Sequence, residues 1–373
     1  MEREELAAWL RLLAAPGVAS SAARRLLAAF GLPQAVLSQS RAALTQLVSA
    51  EQADALLDAG SPRALEQLEA TRAWLAGARA PVSRWLIPLG APDYPPALLQ
   101  TEDPPLLLYA MGQRPQSWPQ AVAVVGSRNP TPQGVANARA FSRSFAQAGL
   151  TVVSGLALGI DAAAHEGALE GAAGGQLATI AVVGTGLDLV YPRQNLELAH
   201  RIARQGVILS EYALGTPSLP ANFPRRNRLI AALGQGTLVV EAALKSGSLI
   251  TARLSTEQGK DVFAIPGSIH SPQSRGCHAL LKQGAKLVET AEDVLEELGT
   301  IARPAPAATE APVAPQGQEA LLEAMGFDPV SLDALIARTG IPAPELQARL
   351  LELELAGCVA RLPGGLFQRI AST

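Results

Sequence analysis

A chain of 373 residues, 48% of them hydrophobic, has length for two or three domains and material for their cores, which excludes a disordered protein. Thirty Lys and Arg stand against 33 Asp and Glu, a net charge of −3 that excludes a globally basic nucleic-acid binder and confines any polyanion contact to a local patch. The two cysteines, Cys277 and Cys358, lie far apart and exclude a disulfide framework.

The first residues, MEREELAAWLRLLAAPG, are amphipathic and charged, unlike a signal peptide. No apolar run approaches the roughly 20 residues needed to cross a bilayer. A cytoplasmic protein with no membrane partner is therefore expected. Residues 1–80 read as a domain of short helices of the SAM or helix-hairpin-helix kind. In APGVASSAARRLLAAFG, Pro16-Gly17 marks a turn and Ser20 and Ser21 are candidate caps. Ala22, Leu26, Leu27 and Phe30 follow at helical spacing. Such a turn can approach a DNA backbone, but packing within a helical bundle is the preferred reading. Residues 85–118 are Pro-rich and read as a lead-in strand (Trp85-Leu86-Ile87-Pro88) and loops.

Residues 119–300 alternate strand and helix. Strands are predicted at 121–126, 150–155, 179–186, 207–212, 236–242 and 261–267, with helices over about 132–149 and from Ile160-Asp161. Continuous apolar strands between helices describe an α/β parallel sheet covered on both faces. Nearly every strand ends in Gly or Ser, and in such sheets the ligand sits beyond the carboxyl ends of the strands. This segment holds fifteen Lys or Arg against fourteen Asp or Glu, and its one dense cationic cluster is Arg225-Arg226-Asn227-Arg228. Guanidinium presents a planar fork of donors to phosphate oxygens and keeps its charge. Gly- and Ser-rich turns at helix starts offer further N–H donors to the same anion.

Residues 301–317, ARPAPAATEAPVAPQG with the residue before it, read as a Pro/Ala-rich linker. Residues 318–373 read as three helices and a hairpin around Pro363-Gly364-Gly365, a winged helix-turn-helix domain. Its third helix, PELQARLLELELAG, carries three Glu, and the segment holds four Arg against seven acids. That balance favours a protein contact over groove reading.

The blocks VAVVGSRNPTPQG, VVSGLALGIDAAAHEGAL, GTGLDLVYPRQN, ILSEYALGTPSLPANFPRRNRLIAAL, VVEAALKSGSLITARLSTEQGKDVFAIPG and GCHALLKQGA stand in order over about 119–290. In these the chain resembles the DNA-processing protein A (DprA/Smf) family, and YPPALL with DPPLLLY fits as well. The resemblance implies an extended Rossmann-like core over 85–300 that binds single-stranded DNA. It also implies a homodimer formed through that core, no enzymatic activity and no cofactor. The implied role is a recombination mediator that protects incoming strands and loads the recombinase RecA onto them during natural transformation.

On this reading Arg128, in GSR after the first strand, contacts the strand, with Gly126 and Ser127 holding a phosphate. Gly155, Gly159, Gly184 and Gly186 let backbone approach the ligand. Asn222 belongs to the same set, as do Arg226, Asn227 and Arg228, the part of FPRRNR that matches the family's usual form. Arg226 and Arg228 are therefore ranked above Arg225, although the three cannot all point one way and one or two pair instead with Glu211 or Glu241. Lys245, Ser246, Gly247 and Ser248 lie at a helix start, and Lys260 is a weaker member. Aromatics are only 4% of the chain; Phe141, Phe145 and Phe263 are assigned to the core, and core packing is also preferred for Tyr191, Tyr212 and Phe223. Binding is thus expected to be backbone-dominated and salt-sensitive.

The second reading is enzymatic. GQGTLVVEA resembles the PGGxGTxxE turn of nucleotide-cleaving phosphoribohydrolases, with Glu241 as the candidate catalytic acid, although Leu233-Gly234-Gln235 departs from that turn. Neither a dinucleotide fingerprint nor a P-loop is present. The four His form no metal-spaced pair with Cys, so no metal is expected. Asp161 and His165, four apart, read as a helix cap and a packed imidazole.

Overall fold

The structure, a computed structural model, describes residues 2–58, 62–299 and 319–370. The linker assigned to 301–317 lies outside these residues. In chain order the first helices are α1 (Arg3–Ala14), α2 (Ser20–Phe30), α3 (Pro33–Leu37), α4 (Arg41–Leu44), α5 (Ala50–Leu57) and α6 (Pro62–Ala76). Strand β1 (Ser83–Pro88), helix α7 (Pro96–Leu99) and strand β2 (Leu107–Gly112) follow. The alternating region comprises β3 (Ala121–Val125), α8 (Pro132–Gln147), β4 (Thr151–Ser154), α9 (Ile160–Gly171), β5 (Thr179–Val182), α10 (Leu196–Gln205) and β6 (Val207–Ser210). It continues through α11 (Asn222–Leu233), β7 (Gly236–Val239), α12 (Ser248–Glu257), β8 (Asp261–Ala264), α13 (Arg275–Lys282), β9 (Lys286–Leu287) and α14 (Ala291–Glu297). The C-terminal elements are α15 (Glu319–Met325), β10 (Val330–Ser331), α16 (Leu332–Thr339), α17 (Ala343–Leu355), β11 (Val359–Leu362) and β12 (Leu366–Arg369).

Two compact units result, and their division runs through the 85–300 segment. One comprises residues 1–119 and 180–233, the other 120–179 and 234–373. In the first, strand order is β1-β2-β6-β5, with β1 antiparallel to β2, β2 antiparallel to β6, and β5 parallel to β6. The expected lead-in is thus a pair of antiparallel strands, and β2 is buried at five of its six positions. The N-terminal helices share one core with Leu106, built on Trp9, Leu12, Leu26, Leu44 and Leu56. Thr71 of α6 meets the Tyr109 hydroxyl of β2 at 3.2 Å, and Trp74 packs edge-on against the same ring. These contacts tie the helices to the strands, which is why they share a unit. Helix α2 begins with Ser20 already helical, after Ala19, so neither Ser20 nor Ser21 is its N-cap.

The second unit carries strands in the order β4-β3-β7-β8-β9, all parallel. Each of β3, β4 and β7 is buried throughout, as strands covered on both faces must be. Val122, Val124, Val152, Leu238 and Phe263 form its core with Phe141 and Phe145 from α8. Helices α8 and α9 approach closely because Gly167 and Gly171 face the carbonyls of Arg139 and Arg143, where an added Cβ would overlap the oxygens. The C-terminal elements form a three-stranded antiparallel sheet, β10-β12-β11, around Leu335, Leu346, Leu350, Leu353 and Phe367. This is the expected winged helix, with Gly340 in the left-handed region (φ +69°) closing α16.

Candidate nucleic-acid interface

The turn after β3 carries Gly126, Ser127 and Arg128. A Cβ on Gly126 would lie 2.7 Å from Ile160 Cγ1, so only glycine lets the turn pass under α9. Ser127 is buried; its carbonyl accepts the Ile160 N–H (3.1 Å) and its hydroxyl accepts the Asn129 N–H (3.1 Å). Arg128 and Asn129 are exposed. Gln273 reaches the same turn, its amide donating to the Asn129 carbonyl at 2.9 Å. Thr131 caps α8 by accepting the Gly134 N–H (3.0 Å). Glu241, two residues past β7, accepts the Thr131 N–H (2.9 Å) on Oε2 and the Thr131 hydroxyl (2.6 Å) on Oε1. Burial pushes the Glu241 carboxyl above the ordinary glutamate range, against the pull of those two bonds.

The turn after β4 is also fixed from within. Asp161 Oδ2 accepts the N–H groups of Gly155 (3.1 Å) and Ala157 (3.4 Å), and Leu156 takes the left-handed conformation (φ +56°). The Leu156 N–H points to His165 Nε2 at 3.3 Å. His165 Nδ1 lies 2.7 Å from the Thr179 hydroxyl, whose proton goes to the Val152 carbonyl (2.6 Å). Nδ1 must therefore carry the ring proton. The imidazole is packed, as the sequence suggests. Asp161 differs from expectation: Gly159 occupies the N-cap of α9, and the Asp161 carboxylate braces the preceding turn. Gly159, at φ +79°, lies so close to Ser127 that a Cβ would overlap its carbonyl oxygen.

Beyond β7, Lys245 and Gly247 are exposed, and Ser246 bonds Ser248 hydroxyl to hydroxyl at 2.7 Å. Lys245, Ser246, Arg253 and Lys260 share an open cleft of about 800 Å³ alongside α12. Lys260 Nζ donates to the Gly234 carbonyl (2.7 Å), and burial pulls its pKa down to about 8.

In the other unit, β5 leads to Gly184-Thr185-Gly186. Asn222 is buried and its amide donates to the Gly184 carbonyl at 2.9 Å. Helix α11 spreads the cationic cluster around its circumference, since successive residues turn by about 100°. Arg225 is exposed. Arg226 is only 3% exposed and donates to the Val182 carbonyl at the end of β5. Arg228 donates to the Asp103 carbonyl (2.6 Å) and forms an ion pair with Glu211, both side chains being largely buried. Burial pushes Glu211 above the ordinary range, outweighing the attraction of Arg228 and Arg225.

This placement differs from the ranking drawn from the sequence. Arg226 and Arg228 fall on the inward arc of α11 and bind their own chain, while Arg225 faces solvent. Of the two acids named as partners for this cluster, Glu211 takes Arg228 and Glu241 takes Thr131. Phe141, Phe145 and Phe263 are core residues, but Tyr191 is 47% exposed and its ring lies 5.6 Å from that of Phe223. Sequence reasoning missed the Thr131 and Gln273 anchors because no spacing rule links residues 110 or 144 positions apart. On α17, Glu345, Glu352 and Glu354 are all exposed.

The parallel strands with Gly- and Ser-rich turns, the helical N-terminus and the winged helix define an α/β protein of the extended Rossmann-like kind. Residues 85–299 match the family model for DNA recombination-mediator protein A, and residues 303–365 match that for the DprA winged helix domain. The chain belongs to the DprA/Smf family of DNA-processing proteins. It is 44% identical to Protein Smf of Escherichia coli over 288 residues, 75% of this chain and 76% of that protein. It is 47% identical to DNA processing protein DprA of Streptococcus pneumoniae over 204 residues, 55% of this chain and 71% of the relative. The solved structure of the Streptococcus pneumoniae protein is similar with a TM-score of 0.65, covering 77% of this chain and 95% of that one at 35% identity. A structure of DNA processing protein A from Helicobacter pylori, described for its single-stranded DNA binding mode, is similar with a TM-score of 0.52 and 32% identity. It covers 58% of this chain and 97% of that one. Among the described residues no helix is long and apolar enough to cross a membrane.

Proposed function

We propose that this chain is a non-enzymatic, cytoplasmic mediator that binds single-stranded DNA, protects incoming strands and loads RecA onto them during natural transformation, acting as a homodimer through its Rossmann-like core. The observation that carries the reading is an exposed Arg128 on a turn anchored at both ends, in a family with a relative whose structure is described for single-stranded DNA binding. Arg128, Arg225 and Lys245 supply the side-chain contacts to phosphates. The turns at Gly126-Ser127, Gly155 to Gly159, Gly184 to Gly186 and Ser246 to Ser248 supply backbone donors and close approach. Asn222 and Arg226 act by supporting the turn after β5 through the Gly184 and Val182 carbonyls, while Arg228 and Lys260 bond to other parts of their own units. The acidic solvent face of α17 supports a protein contact for the winged helix.

Fluorescence anisotropy with a labelled oligo-dT tests the reading. Arg128→Ala should weaken binding about tenfold, the loss expected for one charge-assisted contact. It should also flatten the dependence of log affinity on log salt by about 0.7, one phosphate contact on a single strand. Equal affinity in wild type and Arg128→Ala would sink the site. Co-purification with RecA, with and without residues 318–373, tests the partner. Release of free base from AMP-type nucleotides, abolished by Glu241→Ala, would instead favour the phosphoribohydrolase reading. The engagement of both Glu241 oxygens by Thr131 argues against that role.

A further inference from the structure

The segment 126–131 links β3 to α8 and is held at three points by three separate parts of the chain. At its start the Ser127 carbonyl takes the first N–H of α9, from Ile160. In the middle the Asn129 carbonyl takes the Gln273 amide. At its end Thr131 gives both its N–H and its hydroxyl proton to Glu241. The Glu241 carboxylate thereby lies at the N-terminus of a sixteen-residue helix, where the backbone field favours an anion. Glycine at 134 is part of this arrangement: a Cβ there would stand 2.5 Å from the Glu241 carboxyl carbon and 2.6 Å from Oε1. A glycine inside a helix costs about 1 kcal/mol relative to alanine. The carboxylate occupies the space that a side chain at 134 would need.

We infer that Glu241 is a positioning residue for Arg128: its carboxylate clamps Thr131 and so fixes the turn from which Arg128 meets a DNA phosphate. This rests on the reading of Arg128 as a strand contact. A turn anchored before the ligand arrives loses little conformational freedom on binding, so the cation is presented in one geometry rather than many. Glu241→Gln keeps the shape of the side chain but leaves one acceptor oxygen where Thr131 presents two donors. With that oxygen on the Thr131 N–H, the amide nitrogen faces the Thr131 hydroxyl, which loses its acceptor, and the negative charge is gone.

The test is a double-mutant cycle on the full chain, read by anisotropy with labelled oligo-dT over a salt series, with thermal unfolding of every variant. Glu241→Gln should weaken binding about five- to tenfold in the wild-type background, a range matching about 1–1.4 kcal/mol. In the Arg128→Ala background it should cause no further loss, and the salt slope should not fall further. A loss of equal size in both backgrounds marks a merely structural role and overturns the inference. Full loss in Arg128→Ala with wild-type binding in Glu241→Gln overturns the positioning role while leaving the strand contact intact. No loss in Arg128→Ala overturns both. Should Glu241→Gln not fold, Thr131 carries the test. Thr131→Ser retains both donors and should restore the binding that Thr131→Val loses, and equal binding by those two variants refutes the clamp.

Discussion

Arg226→Ala separates a scaffold role from a DNA-contact role. The side chain is 3% exposed and its guanidinium donates to the Val182 carbonyl, so truncation removes a donor from a buried acceptor. Leaving such an acceptor unmet costs about 1–3 kcal/mol. The emptied space of the aliphatic stem adds a cavity cost of about 2 kcal/mol or more. Relief of the buried charge offsets part of this. A net loss of about 2–4 kcal/mol should lower the melting temperature of this unit by about 5–15 °C. Thermal unfolding by circular dichroism measures the shift, and anisotropy well below the transition measures DNA affinity. Affinity of the folded variant should change less than about threefold, or about 0.65 kcal/mol. An unchanged melting temperature with a tenfold or larger loss of affinity would refute the reasoning, because the guanidinium would then have to reach the phosphate.

Further outcomes concern other parts of the scaffold. Gly167→Ala, which stabilises an ordinary helix by about 1 kcal/mol, should here destabilise by about 1–3 kcal/mol because the new methyl meets the Arg139 carbonyl. A higher melting temperature would show that α8 and α9 are not so close. Arg228→Met should cost about 3–5 kcal/mol by stranding Glu211. Adding Glu211→Gln should recover most of that loss in chemical denaturation, and strict additivity would count against the pair. Lys260 holds its proton less tightly in the folded chain, at about 8 against 10.5, so the unfolded chain binds more protons between those values and stability rises with pH there. Lys260→Met should flatten that rise in melting temperature, and an unchanged slope would mean the ammonium is not desolvated.

Much of the fold was readable from apolar runs. Every strand expected between 121 and 267 forms within its range, because strands buried on both faces must be continuously apolar. The pairing of β1 with β2 was not readable, since the prolines of DYPPALL and DPPLLLYAMG disguise a strand as loop. For the site, glycine and serine marked the turns correctly, because close backbone approach restricts those positions to few residue types. The orientation of Arg225, Arg226 and Arg228 was hidden. Four adjacent polar residues carry no information about helix phase, which is set by Leu229, Ile230 and Leu233 packing further along α11. The Glu241 clamp was hidden for another reason: it is formed by residues brought together only when parallel strands align.

The chain of bonds through His165 limits what could replace it. The ring accepts from the Leu156 N–H on one nitrogen and donates to Thr179 from the other, across the width of an imidazole. Asparagine places a polar group near the position of Nδ1, and glutamine places one near that of Nε2, but neither amide spans both. Among the natural side chains, histidine alone can bridge that turn to that strand. A substitution there takes this acceptor from the N–H of Leu156, the non-glycine residue that holds a positive φ among the described residues.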